Sequence, residues 1–184
     1  MTVTLVLGGT RSGKTRWALA AAEGSGLAPV MVATAEAGDA EMAERIARHR
    51  AERDARWRKV EAPLDLAGAL AALGPGDGAV VDCLTLWLSN LMHAGADLAA
   101  AADLLEAALH APGALWLVSN EVGWGVVPDN ALARRFRDEA GRLHQRLATR
   151  ADGVVLVAAG LPLALKGDPA GRGGGGPHPG GSSG

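Results

Sequence analysis

The residues with the clearest chemical potential form a glycine-rich segment near the start of the chain. The segment fits the pattern G-x-x-x-x-G-K-[ST] and reads Gly8, Gly9, Thr10, Arg11, Ser12, Gly13, Lys14 and Thr15. Glycines let a backbone wrap closely around phosphates with its N–H groups pointing inward, and a following helix adds the positive end of its dipole. The pattern therefore predicts a nucleotide site in which Lys14 reaches the β- and γ-phosphates and Thr15 binds Mg²⁺. An incidental glycine-rich turn is the alternative, and the apolar run before the segment argues against it.

A carboxylate at the end of another apolar stretch could bind magnesium together with this loop. Nucleotide sites of this kind need an acidic residue at a neighbouring strand end to hold the magnesium, directly or through water. Residues 79–82 form an apolar run that ends in Asp82. We therefore expect Asp82 to be the second magnesium-side residue, and the alternative is that it caps the helix that follows.

Short apolar runs and longer helical patterns alternate along the chain, as in α/β folds with a mostly parallel sheet. The predicted strands are residues 3–7, 29–34, 79–82, 114–119 and 153–159. The predicted helices are residues 14–23, 39–54, 64–73, 84–93, 97–110 and 129–149. In the last of these, an apolar stripe recurs every three or four positions and comprises Leu132, Phe136, Ala140, Leu143 and Leu147. Residues 128–130 supply a stop and an N-cap before it.

Composition limits the classes of protein to consider. The 184 residues are 48% hydrophobic and 21% charged, which excludes a disordered chain. Lys and Arg total 18 against 20 Asp and Glu, so the net charge of −2 provides no basic field for nucleic acid. The single Cys83 indicates a reducing compartment. No apolar run is long enough for a membrane span, and we expect a soluble cytoplasmic protein with a domain at 1–166 and a flexible Gly/Pro/Ser-rich tail at 167–184.

Longer motifs narrow the chemistry beyond phosphate binding. They are GGTRSGKT, ATA followed by DAEMAERIARHR, VVDCLTLWLSN, and the block NEVGWGVVPDN that continues through LAR and FRD. With them the chain, from about residue 3 to 166, resembles the bifunctional adenosylcobinamide kinase/adenosylcobinamide-phosphate guanylyltransferase family of cobalamin biosynthesis. This resemblance implies a RecA-like P-loop fold, a two-step enzyme and a homotrimer with sites near subunit contacts.

The resemblance also implies a two-step reaction. Such proteins phosphorylate adenosylcobinamide with ATP or GTP, then transfer GMP from GTP to that phosphate through a covalent histidine intermediate, releasing pyrophosphate. The matching histidine here is His49. Besides the glycine-rich segment, the nucleotide-binding positions that carry over are Ala33, Thr34, Ala35, Arg50, Ala51, Glu52, Arg53, Glu61 and Asp82.

The chemistry of His49 agrees with that role. A neutral imidazole can attack phosphorus, and the phosphoramidate that forms stays reactive. Neighbouring arginines could supply forked donors to phosphate oxygens and would favour the neutral ring. The alternative for such a residue is a surface histidine on a basic helix. Some members of the family place a second histidine just before the guanylylated one, where Arg48 stands here, and some use Glu where this chain has Asp82.

Other residues and functions stay open at this stage. We expect His93, His110 and His144 to be surface or helix-end residues, and Cys83 to be a small buried residue rather than a nucleophile. Trp124 is expected either to pack or to cover a substrate. The alternative functions are guanylyl transfer alone, a plain P-loop small-molecule kinase in which His49 is idle, and a nucleotide-dependent switch.

Overall fold

The strands and helices alternate along the chain largely as the sequence predicts. The computed structural model describes residues 2–35, 56–110 and 113–167. Within them the strands are β1 (Thr2–Gly8), β2 (Ala28–Ala33), β3 (Arg58–Glu61), β4 (Asp77–Asp82), β5 (Ala114–Asn120), β6 (Gly153–Ala158) and β7 (Leu161–Lys166). The helices are α1 (Lys14–Gly24), α2 (Leu66–Ala71), α3 (Leu84–His93), α4 (Leu98–Ala108) and α5 (Ala131–Arg150).

The strands form one sheet with the order β3-β2-β4-β5-β1-β6-β7. Every pairing is parallel except that of β6 with β7. The mostly parallel α/β sheet is thereby confirmed. Strand β5 separates β1, which leads into the glycine-rich segment, from β4, which ends at Asp82.

Alternate side chains of the central strands enter two apolar layers, since successive residues of a strand face opposite sides. On one side, Leu5, Val81 and Leu117 pack beneath α2, α3, α4 and α5. On the other, Val6 and Val118 pack against the alanine face of α1. Both faces of the sheet are covered, which is why the central strands are continuous apolar runs.

The parallel register brings the polar strand ends to one edge. Gly8 of β1 is opposite Asn120 of β5, and Ala33 of β2 is opposite Asp82 of β4 and Glu61 of β3. Ligands of open parallel sheets bind beyond the carboxyl ends of the strands. We call this edge of the sheet, with the glycine-rich segment and the turn after β5, the site edge.

The structure corrects several sequence-based boundaries. Strands β3 and β7 were not predicted: β3 is a charged edge strand, and β7 contains Pro162, which edge strands tolerate. The helix expected at 64–73 is shorter (Leu66–Ala71), and α5 begins one residue after its cap Asn130, whose side chain accepts from the Ala133 N–H. Leu132, expected in the buried stripe, is 57% exposed.

Three sequence predictions lie outside the described residues. They are the helix at 39–54, which carries His49, the binding positions at 50–53, and the tail beyond residue 167. In the part of the chain that is described, none of the helices combines the length and apolar character needed to cross a membrane.

Candidate active site

The glycine-rich segment forms a closed loop between β1 and α1. The Lys14 ammonium group turns back and donates to the Gly9 carbonyl at 3.0 Å, and the Ser12 N–H donates to the same carbonyl at 3.2 Å. Gly13 has a φ of 95°, a left-handed conformation that glycine adopts at little cost. A Cβ at Gly13 would also lie 3.2 Å from the Gly160 Cα. The loop is therefore held by two hydrogen bonds to the Gly9 carbonyl and by a conformation at Gly13 that favours glycine.

The same loop contains a polar atom that lacks a partner. The Ser12 Oγ is buried and forms no hydrogen bond among the residues that the structure describes. It lies close to Gly8, where an added Cβ would be 2.5 Å from Ser12 Oγ and from the Val157 carbonyl. A buried hydroxyl without a partner is costly, and an anionic ligand in the loop would offer it an acceptor.

The side chains of Thr15 and Asp82, the two residues predicted to bind Mg²⁺, lie side by side. The Thr15 hydroxyl donates to the Asp82 Oδ1 at 3.4 Å. A hydroxyl and a carboxylate are the hard oxygen donors that Mg²⁺ prefers, and phosphates and waters usually complete its octahedron. Residue Cys83, not Asp82, occupies the N-cap position of α3, so the capping alternative does not describe Asp82. No group of three or more His, Cys, Asp or Glu that could hold a metal ion occurs among the described residues.

The other predicted positions that the structure describes, Ala33, Thr34, Ala35 and Glu61, lie at the ends of β2 and β3 on the same edge. Ala33 ends β2, and the hydroxyl of buried Thr34 donates to the Cys83 carbonyl and accepts from the Cys83 N–H, both at 2.8 Å. Thr34 thus joins the ends of β2 and β4. Ala35 follows, and Glu61 ends β3, where its carboxylate pairs with Lys59.

Cys83 is buried, as predicted. Burial and the neighbouring Asp82 charge raise the pKa of its thiol. The thiol therefore stays protonated and is a poor nucleophile.

Sequence reasoning gave no role to the turn after β5, although Asn120 ends an apolar strand just as Asp82 does. We call residues 120–123 the β5 turn. The Glu121 N–H donates to the Gly8 carbonyl at 2.9 Å, and the Asn120 amide donates to the Thr85 hydroxyl at 2.9 Å. The turn thus contacts both the start of the glycine-rich loop and the start of the helix after Asp82.

His144 is not a surface residue, contrary to the expectation from sequence. It is 7% exposed, its Nε2 lies 2.7 Å from the Ser119 hydroxyl, and its Nδ1 lies 3.7 Å from the Glu121 carboxylate. Burial lowers the pKa of His144, and the charge of Glu121 opposes this effect. The ring reaches this position because α5 places His144 beside Ser119 and Glu121 at the end of β5, which helical spacing alone does not reveal.

Beyond the β5 turn, an exposed apolar segment continues toward α5. Trp124 is 74% exposed and Val126 is 95% exposed. The Arg137 guanidinium group holds the base of this segment by donating to the Gly123 carbonyl at 2.7 Å. Of the two expectations for Trp124, packing within the described chain is therefore wrong.

The chain is similar to known proteins over most of its length. A family model described as cobinamide kinase / cobinamide phosphate guanyltransferase matches residues 4–165. The bifunctional adenosylcobalamin biosynthesis protein CobP of Pseudomonas aeruginosa is 51% identical over 169 residues, covering 90% of this chain and 98% of that protein. The protein CobU of Salmonella typhimurium, with the same description, is 40% identical over 179 residues, covering 88% and 98%.

A solved structure adds support for the fold alone. A protein of Pyrococcus horikoshii OT3 aligns with a TM-score of 0.54 at 11% identity, covering 90% of this chain and 86% of that one. The predicted α/β P-loop fold, RecA-like in its strand arrangement, is confirmed. From its motifs, its fold and the family model that spans nearly its whole length, this chain belongs to the cobinamide kinase / cobinamide phosphate guanyltransferase family.

Proposed function

We propose that this chain carries out both reactions for which its family is named, with adenosylcobinamide as the acceptor and ATP or GTP as the phosphoryl donor. The observation that carries the proposal is the convergence of Lys14, Thr15 and Asp82 around a closed glycine-rich loop. A loop of this form binds the phosphates of a nucleoside triphosphate. The buried hydroxyl of Ser12 supports the same proposal, since it lacks an acceptor among the described residues.

The first reaction is transfer of the γ-phosphoryl group to the aminopropanol hydroxyl of adenosylcobinamide. The hydroxyl oxygen forms a bond to the γ-phosphorus, the bond from that phosphorus to the β-phosphate oxygen breaks, and the nucleoside diphosphate leaves. The proton of the hydroxyl passes to solvent or to a nearby base. Lys14 and the loop N–H groups stabilise the charge on the transferring group and the leaving diphosphate. Thr15 and Asp82 would hold Mg²⁺, which neutralises phosphate charge when bound.

The second reaction is proposed to pass through His49, which lies outside the described residues. A ring nitrogen of His49 attacks the α-phosphorus of GTP, the bond to the β-phosphate oxygen breaks, and pyrophosphate leaves. A phosphate oxygen of adenosylcobinamide phosphate then attacks the same phosphorus, and the P–N bond breaks to give adenosylcobinamide-GDP. The intermediate divides one displacement into two easier steps.

The binding residues, the assembly and the location are part of the same proposal. The proposed nucleotide-binding set comprises residues 8–15, Ala33, Thr34, Ala35, Arg50, Ala51, Glu52, Arg53, Glu61 and Asp82. The hydroxyl of Thr34 is engaged with Cys83, its N–H donates to the Asp82 carbonyl, and its carbonyl accepts from the Asn90 amide. We further propose a homotrimer in the cytoplasm, with no nucleic-acid partner.

The test is to incubate the protein with GTP and Mg²⁺ and to locate a GMP adduct by mass spectrometry. We expect one adduct, on His49, whose label from α-³²P-GTP is lost in acid and kept in base. A His49→Ala variant should not be labelled, whereas the control His110→Ala, at an exposed position on the described chain, should be labelled like the wild type. Labelling of His49→Ala would overturn the nucleophile assignment.

A second assay separates the two activities. Formation of adenosylcobinamide phosphate from ATP should persist in His49→Ala, because the kinase step does not use that residue. If the wild type formed the adduct without phosphorylating adenosylcobinamide, guanylyl transfer would be its single activity. Phosphorylation without an adduct would leave a plain small-molecule kinase. Nucleotide binding with neither reaction would leave a switch.

A further inference from the structure

The β5 turn joins the two halves of the proposed phosphate site. Strand β5 lies between β1 and β4 in the sheet, so its carboxyl end comes out between the glycine-rich loop and Asp82. On one side, the Glu121 N–H donates to the carbonyl of Gly8. On the other, the Asn120 amide donates to the hydroxyl of Thr85, the second residue of α3. A shift of this turn would therefore change the position of the loop relative to Asp82.

The carboxylate of Glu121 forms a hydrogen bond within the β5 turn. Its Oε1 accepts from the Gly123 N–H at 2.9 Å, and its Oε2 faces His144 at 3.7 Å. The side chain of Glu121 is only 16% exposed. Oε1 thus holds the Gly123 N–H by a hydrogen bond, and Oε2 lies beside the His144 ring.

Helix α5 holds the turn at two points. His144 contacts Glu121 and Ser119, and Arg137, two turns earlier on the same face of the helix, donates to the Gly123 carbonyl. Residues seven apart on a helix lie on the same face. The turn is consequently fixed to a helix whose C-terminal half is buried in the core through Leu143 and Leu147.

A polar cluster at this depth calls for a reason other than stability. Buried polar groups contribute little net free energy to folding even when they are paired, whereas apolar side chains of similar volume often stabilise as well or better. What a paired cluster provides is one defined arrangement of the groups around it. Here those groups are the loop and the strand end that would hold the phosphates.

Resting on the proposed function, we propose that Glu121 is a positioning residue for phosphoryl transfer, and that His144 and Ser119 hold it. Glu121 acts through the β5 turn on the geometry between Gly8 and Asp82, and it exchanges no proton with the substrate. Its negative charge is therefore dispensable so long as an acceptor for the Gly123 N–H remains. This separates a positioning role from that of a general base, for which the charge is essential.

The decisive comparison is between Glu121→Gln and Glu121→Ala in the full chain. Glutamine keeps a side-chain oxygen for Gly123, so we expect its kcat for adenosylcobinamide phosphorylation to stay within about three-fold of the wild type. Alanine loses that acceptor, and we expect its kcat to fall at least ten-fold while KM for the nucleotide changes less than three-fold. A Gln variant as slow as the Ala variant would overturn the proposal in favour of acid–base chemistry. An Ala variant as fast as the wild type would overturn it outright.

A second pair of variants tests how Glu121 is held. His144→Phe keeps an aromatic ring, although a larger one, and loses both polar contacts. We expect a lower kcat than in Leu147→Ala, a control with a core defect one turn further along α5. Urea titration of both variants shows whether each is folded under assay conditions. If His144→Phe is unfolded there, Ser119→Ala replaces it, since it removes only the hydroxyl that contacts His144. Rates that follow stability alone across these variants would contradict the positioning role.

Failure of this inference is distinguishable from failure of the proposed function. If the wild type phosphorylates adenosylcobinamide and forms the GMP adduct, the function stands whatever the variants do. If the wild type does neither, the function itself fails. The variants at Glu121 and His144 therefore report on positioning only when the wild type is active.

Discussion

Helix α5 carries two polar clusters that differ in their exposure to water. The buried cluster lies at the site edge and comprises Ser119, Glu121 and His144. In it, the side chains of His144 and Glu121 are 8% and 16% exposed. The surface cluster joins α5 to α4 and comprises Asp103, Glu106, Arg146 and Arg150. In it, the side chains of Arg146, Arg150 and Asp103 are 35%, 60% and 72% exposed, and that of Glu106, which pairs with both arginines, is 16% exposed.

The difference shows which polar contacts define geometry. Loss of one partner in the buried cluster leaves a group that water cannot reach, which costs free energy. Loss of Arg146 from the surface cluster leaves Asp103 exposed to water and Glu106 still paired with Arg150. The short contacts of Arg146 with Asp103 and Glu106 therefore say little about stability, whereas the longer contacts of His144 constrain the site edge.

The largest expected effect concerns function and separates the site edge from the surface. Lys14→Met removes the ammonium group that would face the phosphates, and we expect the phosphorylation rate to fall at least about 100-fold, as for loss of one preorganised donor to a transition state. Arg146→Met is the matched control, because it removes a cation from the surface cluster and should leave the rate unchanged. Steady-state assays of both variants check this. A Lys14→Met rate close to that of the wild type would refute the assignment of Lys14.

The next effect concerns stability at the buried cluster. Ser119→Ala removes the hydroxyl beside the Nε2 of His144, and we expect it to lower the free energy of unfolding by about 1–3 kcal/mol. Ser89→Ala is the control, since the Ser89 hydroxyl makes a 3.5 Å exposed contact with His93, and we expect a change within about 0.5 kcal/mol. Urea unfolding measures both. Equal losses would show that burial does not distinguish the two serine–histidine pairs.

A smaller effect should appear in the pH dependence of stability. Burial lowers the pKa of His144 in the folded chain, so below about pH 6.5, the ordinary histidine value, the unfolded chain binds more protons at this residue than the folded chain. The contribution of His144 is therefore fully present above that pH and is lost as the pH falls toward its lowered pKa. Urea unfolding between pH 5 and pH 8 should show a steeper decline for the wild type than for His144→Phe. Parallel pH profiles would contradict the lowered pKa.

The smallest effect belongs to the surface cluster. Arg146→Met should lower the free energy of unfolding by about 0.2–1 kcal/mol at low salt. This decrease should be smaller in 1 M NaCl, because exposed ion pairs are weak and are screened by salt. The cost of Ser119→Ala should not depend on salt. Urea unfolding at two salt concentrations tests this contrast. A large, salt-independent loss for Arg146→Met would remove the distinction between the clusters.

Prediction from sequence succeeded where one signal was sufficient. Strands β1, β4 and β5 are buried on both faces, so each is a continuous apolar run that is visible without an alignment. Strand β3 was missed because an edge strand can be charged, and β7 because its side chains are exposed and one of them is Pro162. Leu132 was placed in the core because helical spacing identifies a stripe but not the point at which the helix leaves the sheet.

The candidate site also contains residues that could be predicted from the sequence and residues that could not. The glycine-rich segment was recognisable because its function depends on consecutive residues, whose local conformation follows from their own sequence. Asp82 was identified because it ends an apolar strand. His144 was assigned to the surface because its partners, Ser119 and Glu121, lie on another element.

By itself, the sequence determined the phosphate loop, the helix that follows it and the α/β class, since each depends on local conformation or on hydrophobic periodicity. Only the tertiary structure decided that β5 lies between β1 and β4, that Thr15 faces Asp82, and that a buried histidine holds the β5 turn. Strand order and helix crossing are set by long-range packing, which residue spacing along one chain does not encode.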